Sequence, residues 1–184
     1  MARTAAHPAE FLRLRFDANQ VEQNTEVHNV LRFFDDSGTV RQHPDTTSTL
    51  EVAENGDGLT GVANLTPAFD GDGRVTKWHR TFTFAQRSLL VMDDYATAPG
   101  TQAVFQVNVP SLPVISGNTV IAGNLRIRVE GPSTASLSVL DWTTIDSGEY
   151  RGGHRVDIAG GTGTYRVVLD ETPEAADPIF YRRI

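Results

Sequence analysis

The sequence predicts an all-β protein folded as an antiparallel β-sandwich, and three observations carry that expectation. Segments whose apolar and polar residues alternate with a period of two recur every eight to twelve residues or so. Clusters of Gly, Asn, Asp and Pro separate them as turn signals. No stretch places apolar residues at i, i+3, i+4 and i+7 over three turns, which is the spacing of an amphipathic helix.

Residues 1–10 read as a loose lead-in, and Phe11-Leu-Arg-Leu-Arg-Phe16 is the first credible strand. After a polar stretch, His28 to Phe34 is the second, closed by the turn Asp35-Asp-Ser-Gly38. Short strands are expected at Thr39 to Gln42 and Thr49 to Ala53, and a longer one at Leu59 to Leu65 after the turn Glu54-Asn-Gly-Asp-Gly58. Asp70-Gly-Asp-Gly73 introduces the stretch around which the rest is arranged, a hairpin over Arg74 to Tyr95 turning at Ala85-Gln86-Arg87. Trp78, Arg80, Phe82 and Phe84 share one face of its first arm, and Lys77, His79, Thr81 and Thr83 the other. Its second arm, Leu89-Leu-Val-Met92, is apolar on both faces, which predicts a position in the middle of the core. Thr101 to Val109 follows and stops at Pro110 and Pro113. Asn118 to Ala122 and Leu125 to Val129 flank the tight turn Gly123-Asn124; Ser136 to Trp142, Gly153 to Ala159 and Thr164 to Leu169 complete the set. One domain over residues 1–184 suffices, with a loosely attached tail at 171–184.

The net charge of -7 excludes a phosphate-binding surface of the usual basic kind, so no nucleic-acid partner is expected. Without cysteine there is neither a disulfide framework nor a thiolate metal site. The longest apolar run is about four residues against the ~20 needed to span a bilayer, so no membrane partner is expected.

The five histidines, His7, His28, His43, His79 and His154, are scattered singly, so none has the local spacing of a metal pair. Asn55-Gly-Asp-Gly58 and Asp70-Gly-Asp-Gly73 lack the alternating carboxylates and closing Glu of a calcium loop and are better read as hairpin turns. Gly160-Gly-Thr-Gly163 precedes no helix and lacks the Lys of a phosphate cradle, and no nucleophile elbow is present.

Val27-His-Asn-Val-Leu-Arg-Phe33, Gly61-Val-Ala-Asn-Leu65, Asp72-Gly-Arg-Val-Thr-Lys-Trp-His-Arg-Thr-Phe-Thr-Phe84 and Leu89-Leu-Val-Met-Asp-Asp-Tyr95 together resemble the β-sheet domain of heparinase II/III-like polysaccharide lyases. The resemblance runs from about Val27 to Trp142. It implies an antiparallel sandwich that follows a helical toroid, with uronic-acid polysaccharide cleaved by β-elimination in the cleft between them. That reaction needs the uronate carboxylate neutralised, a base for the C5 proton and an acid for the leaving oxygen. In the family a Tyr and His pair supplies the proton transfers from the helical part or from segments upstream of the His-Asn strand. This chain has no helical part and is therefore expected to lack lyase activity alone.

The His-Asn position resembles one that supplies a zinc ligand in several family members, which singles out His28. The partner His-x-His and Asp have no counterpart before it, where only His7, Glu10, Asp17, Glu22 and Glu26 stand. One imidazole does not hold zinc, so no cofactor is expected. Lys77, His79 and Arg80 are the candidate substrate-binding residues, because guanidinium and ammonium groups suit uronate carboxylates. For Arg80 the competing expectation is a structural ion pair with Asp93 or Asp94. The implied partners are an acidic polysaccharide and the helical domain of a parent lyase or further copies of the chain, in the periplasm or outside the cell. The alternative is a non-catalytic carbohydrate-binding or oligomerising module.

Overall fold

The structure, a computed structural model, describes residues 25–43, 46–148 and 150–172. The first four strands are β1 (Leu31–Asp35), β2 (Gly38–Thr39), β3 (Thr49–Asn55) and β4 (Gly58–Asn64). The long hairpin is β5 (Val75–Ala85) and β6 (Ser88–Thr97), followed by β7 (Gln102–Val109) and β8 (Val114–Ser116). The remainder are β9 (Thr119–Ala122), β10 (Leu125–Gly131), β11 (Ser136–Asp141), β12 (His154–Ala159) and β13 (Thr164–Glu171). They pair antiparallel into two sheets, one in the order β11-β12-β7-β1-β2 and a larger one in the order β3-β4-β5-β6-β13-β10-β9-β8. The chain is all-β, as its alternation requires. Helical structure among the described residues is confined to single 3-10 turns at Thr25–Val27, Thr66–Phe69 and Trp142–Thr144, and no helix is long enough to cross a membrane.

The core lies between the sheets. Leu31, Phe33, Phe105, Val156 and Ile158 of the smaller sheet meet Trp78, Val91, Tyr95, Tyr165 and Val167 of the larger one, all of them buried. Phe33 stands edge-on to Phe69 at 5.3 Å and to Trp78 at 5.5 Å, the T-shaped geometry that aromatic quadrupoles favour. The Tyr165 hydroxyl donates to the Ala103 carbonyl at 2.9 Å and ties the two layers together.

The central hairpin occupies interior positions of the larger sheet, and its register continues to Ala85 opposite Ser88. Gln86 and Arg87 form the two-residue turn with φ of 48° and 65°, positive at both as a type I′ turn demands. Gly61 has a packing reason: a Cβ there would sit 2.2 Å from the tip of the Phe82 ring, which reaches over it from the neighbouring strand.

Several boundaries differ from expectation. His28 does not open a strand; Thr25–Val27 is a 3-10 turn and β1 begins only at Leu31. The reason is a distant side chain, since Gln106 Nε2 donates to the Thr25 carbonyl and, at 2.8 Å, to the His28 carbonyl. Those groups are thereby satisfied outside any ladder. Thr39 to Gln42 yields only Gly38–Thr39, and β8 forms directly after Pro113, where no strand was expected. The hairpin is not enclosed along its whole length, because Phe84 is 46% and Met92 37% exposed. Glu171 ends β13 and Thr172 is buried, so these two residues belong to the sheet body rather than the tail. The strand expected at Phe11–Phe16 and the lead-in at 1–10 lie outside the described residues.

Candidate functional site

Two surfaces of the larger sheet carry the residues of interest. On its inner face, cross-strand register places Val52, Gly61, Phe82, Val91 and Val167 in one row running from β3 to β13. A second row holds Glu54, Leu59, Phe84, Leu89 and Leu169. Burial falls off along the first row, from 0% exposure at Val167 to 58% at Val52, because the smaller sheet covers only the centre of the larger one. The cover stops short of the start of β1: ahead of Leu31 the chain is held to β7 by the side chain of Asn29, which accepts from the Asn108 backbone N–H at 2.7 Å. What remains is an open apolar cavity of about 410 Å³ between Leu59, Phe82, Phe84 and Leu89 on one side and Phe105 and Val107 on the other.

Arg80 lines that cavity and is held there through all three of its guanidinium nitrogens. Its Nε and Nη2 each donate to Asp93 at 2.8 Å, and its Nη1 donates to the Asn29 carbonyl at 3.1 Å. The guanidinium also lies 5.5 Å from the Trp78 ring centroid and 5.3 Å from that of Phe105. Asp93 accepts a further bond from Trp78 Nε1 at 2.7 Å. A carboxylate without solvent exposure is tolerable only with such a set of charge-assisted donors. Of the two partners weighed for Arg80, register selects Asp93; Asp94 points to the other face.

Lys77 and His79 lie on the outer face, so the three residues singled out from sequence do not converge. Lys77 Nζ meets Asp94 at 2.5 Å, and His79 is exposed beside it. The alternation Leu125-Arg-Ile-Arg-Val129 puts Arg126 and Arg128 on this same face, and Arg166 joins them from β13. Arg126 binds Asp170 through two parallel bonds of 2.8 and 2.9 Å, and Arg166 Nε reaches Glu130 at 2.7 Å. The Arg126 hydrogen bonds hold the Asp170 carboxyl below its usual range, and the same contact raises the Arg126 guanidinium. These arginines were not singled out from sequence, although the parity of the strand was signal enough.

No family model and no curated protein sequence matches the chain. His28 is exposed, and among the described residues no group of three or more His, Asp or Glu is placed to hold a metal ion. Tyr95 and Tyr165 stack in the core at 5.9 Å, and burial pushes both phenols up. Neither phenol is placed to exchange protons with a polymer at the surface.

Proposed function

We propose that the chain is a non-catalytic β-sandwich module that holds an acidic polysaccharide on the outer face of its larger sheet. This is the part the sheet domain of a heparinase II/III-like lyase would play without its helical body. The observation that carries it is the clustering, in a protein of net charge -7, of Lys77, His79, Arg126, Arg128 and Arg166 on one face across β5, β13 and β10. Beside them stand Asp94, Glu130 and Asp170, with Glu51 further out on β3. The exposed pairs Lys77–Asp94 and Arg166–Glu130 are worth about 0–1 kcal/mol each, so a uronate carboxylate can replace the internal partner there at little cost. Thr81 and Thr83 of the same face add hydroxyls for sugar oxygens. Arg80 is assigned a structural part instead, because each of its three nitrogens already donates within the protein and its surroundings are apolar.

Affinity electrophoresis through gels containing a polyuronide tests this. The protein is expected to be retarded at low salt and released as salt rises, and Lys77→Ala with Arg166→Ala is expected to weaken the retardation severalfold. Migration unaffected by the polyuronide would sink the binding assignment. A rise in ultraviolet absorbance from unsaturated product would overturn the non-catalytic one.

A further inference from the structure

We propose that the open end of the sandwich is a binding site for an aliphatic chain of about ten carbons that ends in one uncharged hydrogen-bond acceptor, as a medium-chain alcohol or ester does. The cavity there holds about 410 Å³, within the roughly 300–1,000 Å³ of small-molecule sites. It has two walls, Phe82 and Phe84 of the larger sheet against Phe105 and Val107 of the smaller one, and its lining is apolar except for Arg80 and Asn29. Arg80, Phe82 and Phe84 succeed one another on one face of β5. From Arg80 to Phe84 the strand advances about 13 Å, the length of an extended chain of about ten carbons. The polar groups thus stand at one end of the lining and a 46% exposed ring at the other.

The chemistry of the polar end selects the head group. A guanidinium has five N–H donors, and Arg80 uses three of them, two on Asp93 and one on the Asn29 carbonyl. Both Asp93 oxygens are taken, and Oδ1 accepts from Trp78 as well. The Asn29 side-chain oxygen accepts from the Asn108 backbone and side-chain N–H groups, and its amide nitrogen has no acceptor among the described residues. This end therefore offers a ligand donors, and the ligand must supply the acceptor. Charge decides which kind. Asp93 already balances Arg80 and the lining holds no second cation, so a carboxylate would enter a mostly apolar space without a counter-charge. An ester or hydroxyl oxygen takes the same hydrogen bonds without that penalty. The cavity and the face proposed for glycan lie on opposite sides of the larger sheet, so either can be occupied without the other.

Displacement of the neutral fluorophore N-phenyl-1-naphthylamine from the full-length chain tests this. The fluorophore is expected to bind saturably at one per chain and to be displaced by 1-decanol, with decanoate at about pH 8 weaker by about tenfold or more. Leu59→Trp adds bulk to the lining and should weaken 1-decanol by about tenfold or more. Phe84→Asp puts a charge at the exposed rim, leaves the buried lining intact, and should do the same even if the tryptophan variant fails to fold. Leu112→Asp, at an exposed apolar residue outside the cavity, should change nothing. Absence of saturable uptake, uptake unchanged in Phe84→Asp, or uptake lost in Leu112→Asp would overturn the site. Decanoate bound as tightly as 1-decanol would overturn the uncharged head group.

Discussion

Asp93→Ala removes a carboxylate with a side chain 0% exposed and strips its partners of their acceptor at once. Arg80, itself only 15% exposed, loses both bonds of 2.8 Å, and Trp78 loses the bond of 2.7 Å from its indole nitrogen. Removing one member of a buried pair costs about 3–5 kcal/mol, chiefly because the other charge is left unpaired. An orphaned indole N–H adds about 1–3 kcal/mol, but the two costs share one carboxylate and do not simply sum. Arg80 keeps the Asn29 carbonyl and two aromatic faces, which places the expected loss at about 3–4 kcal/mol. Against a total stability of about 5–15 kcal/mol that is a large fraction. Urea unfolding should show it as a midpoint lowered by at least about 1 M at unchanged slope. The companion experiment is Asp93→Leu with Arg80→Met, which removes both charges and restores apolar volume. It should recover most of the loss, since a buried pair exchanged for apolar residues is often neutral. A loss below about 1 kcal/mol for Asp93→Ala, or a double variant as unstable as the sum of the single ones, would refute the structural assignment of Arg80.

Arg87→Gly should stabilise the protein: a left-handed conformation costs a side-chain-bearing residue about 1–2 kcal/mol, whereas the exposed pair it forfeits with Glu171 is worth about 0–1 kcal/mol. A raised thermal midpoint would show it, and a lowered one would mean that the ion pair outweighs the backbone term. Asp35 should titrate at about 2 instead of 3.8, held down first by the Ser37 hydroxyl and then by Arg74. Because its folded value is depressed, its contribution to stability is complete above the ordinary carboxylate range and is lost as pH falls towards about 2. Carboxyl NMR of the wild type and of Ser37→Ala, in which the midpoint should move back up, checks both the sign and the cause.

Sequence reasoning reached the strands wherever a local pattern decided the outcome. The alternation over Trp78 to Phe84 and over Leu125 to Val129 sorts inner from outer side chains correctly, because a period of two in a paired strand leaves no freedom once one residue is placed. It failed where the deciding partner is remote. The polar stretch at His28 to Val30 continues an apparent strand, but its backbone is captured by Gln106, 78 residues further on from His28. Arg80 could be narrowed locally only to Asp93 or Asp94, and the choice rests on register across the hairpin. The candidate residues were grouped by closeness in sequence, which placed Lys77, His79 and Arg80 together. Alternation along a strand puts sequence neighbours on opposite faces, so Lys77 and His79 share their face with Arg126, Arg128 and Arg166 of strands far along the chain and not with Arg80.

The same alternation says something about β3 that its exposure alone does not. Edge strands are guarded against unwanted pairing by charge or by being short, and β3 carries Glu51 on its outer face and Glu54 on its inner one. It nevertheless spans Thr49–Asn55 and directs Leu50 and Val52 to the side on which the larger sheet packs its core. Gly61 in the next strand is shaped to admit the Phe82 ring, and Leu59 lies in register with Phe84. Three adjacent strands therefore keep an interior pattern beyond the reach of the smaller sheet. Apolar side chains left in water there forgo about 25 cal/mol for each Å² that a cover would bury. The gain from covering this edge is therefore concentrated at Leu50 and Val52, the two apolar side chains of β3 that face inward.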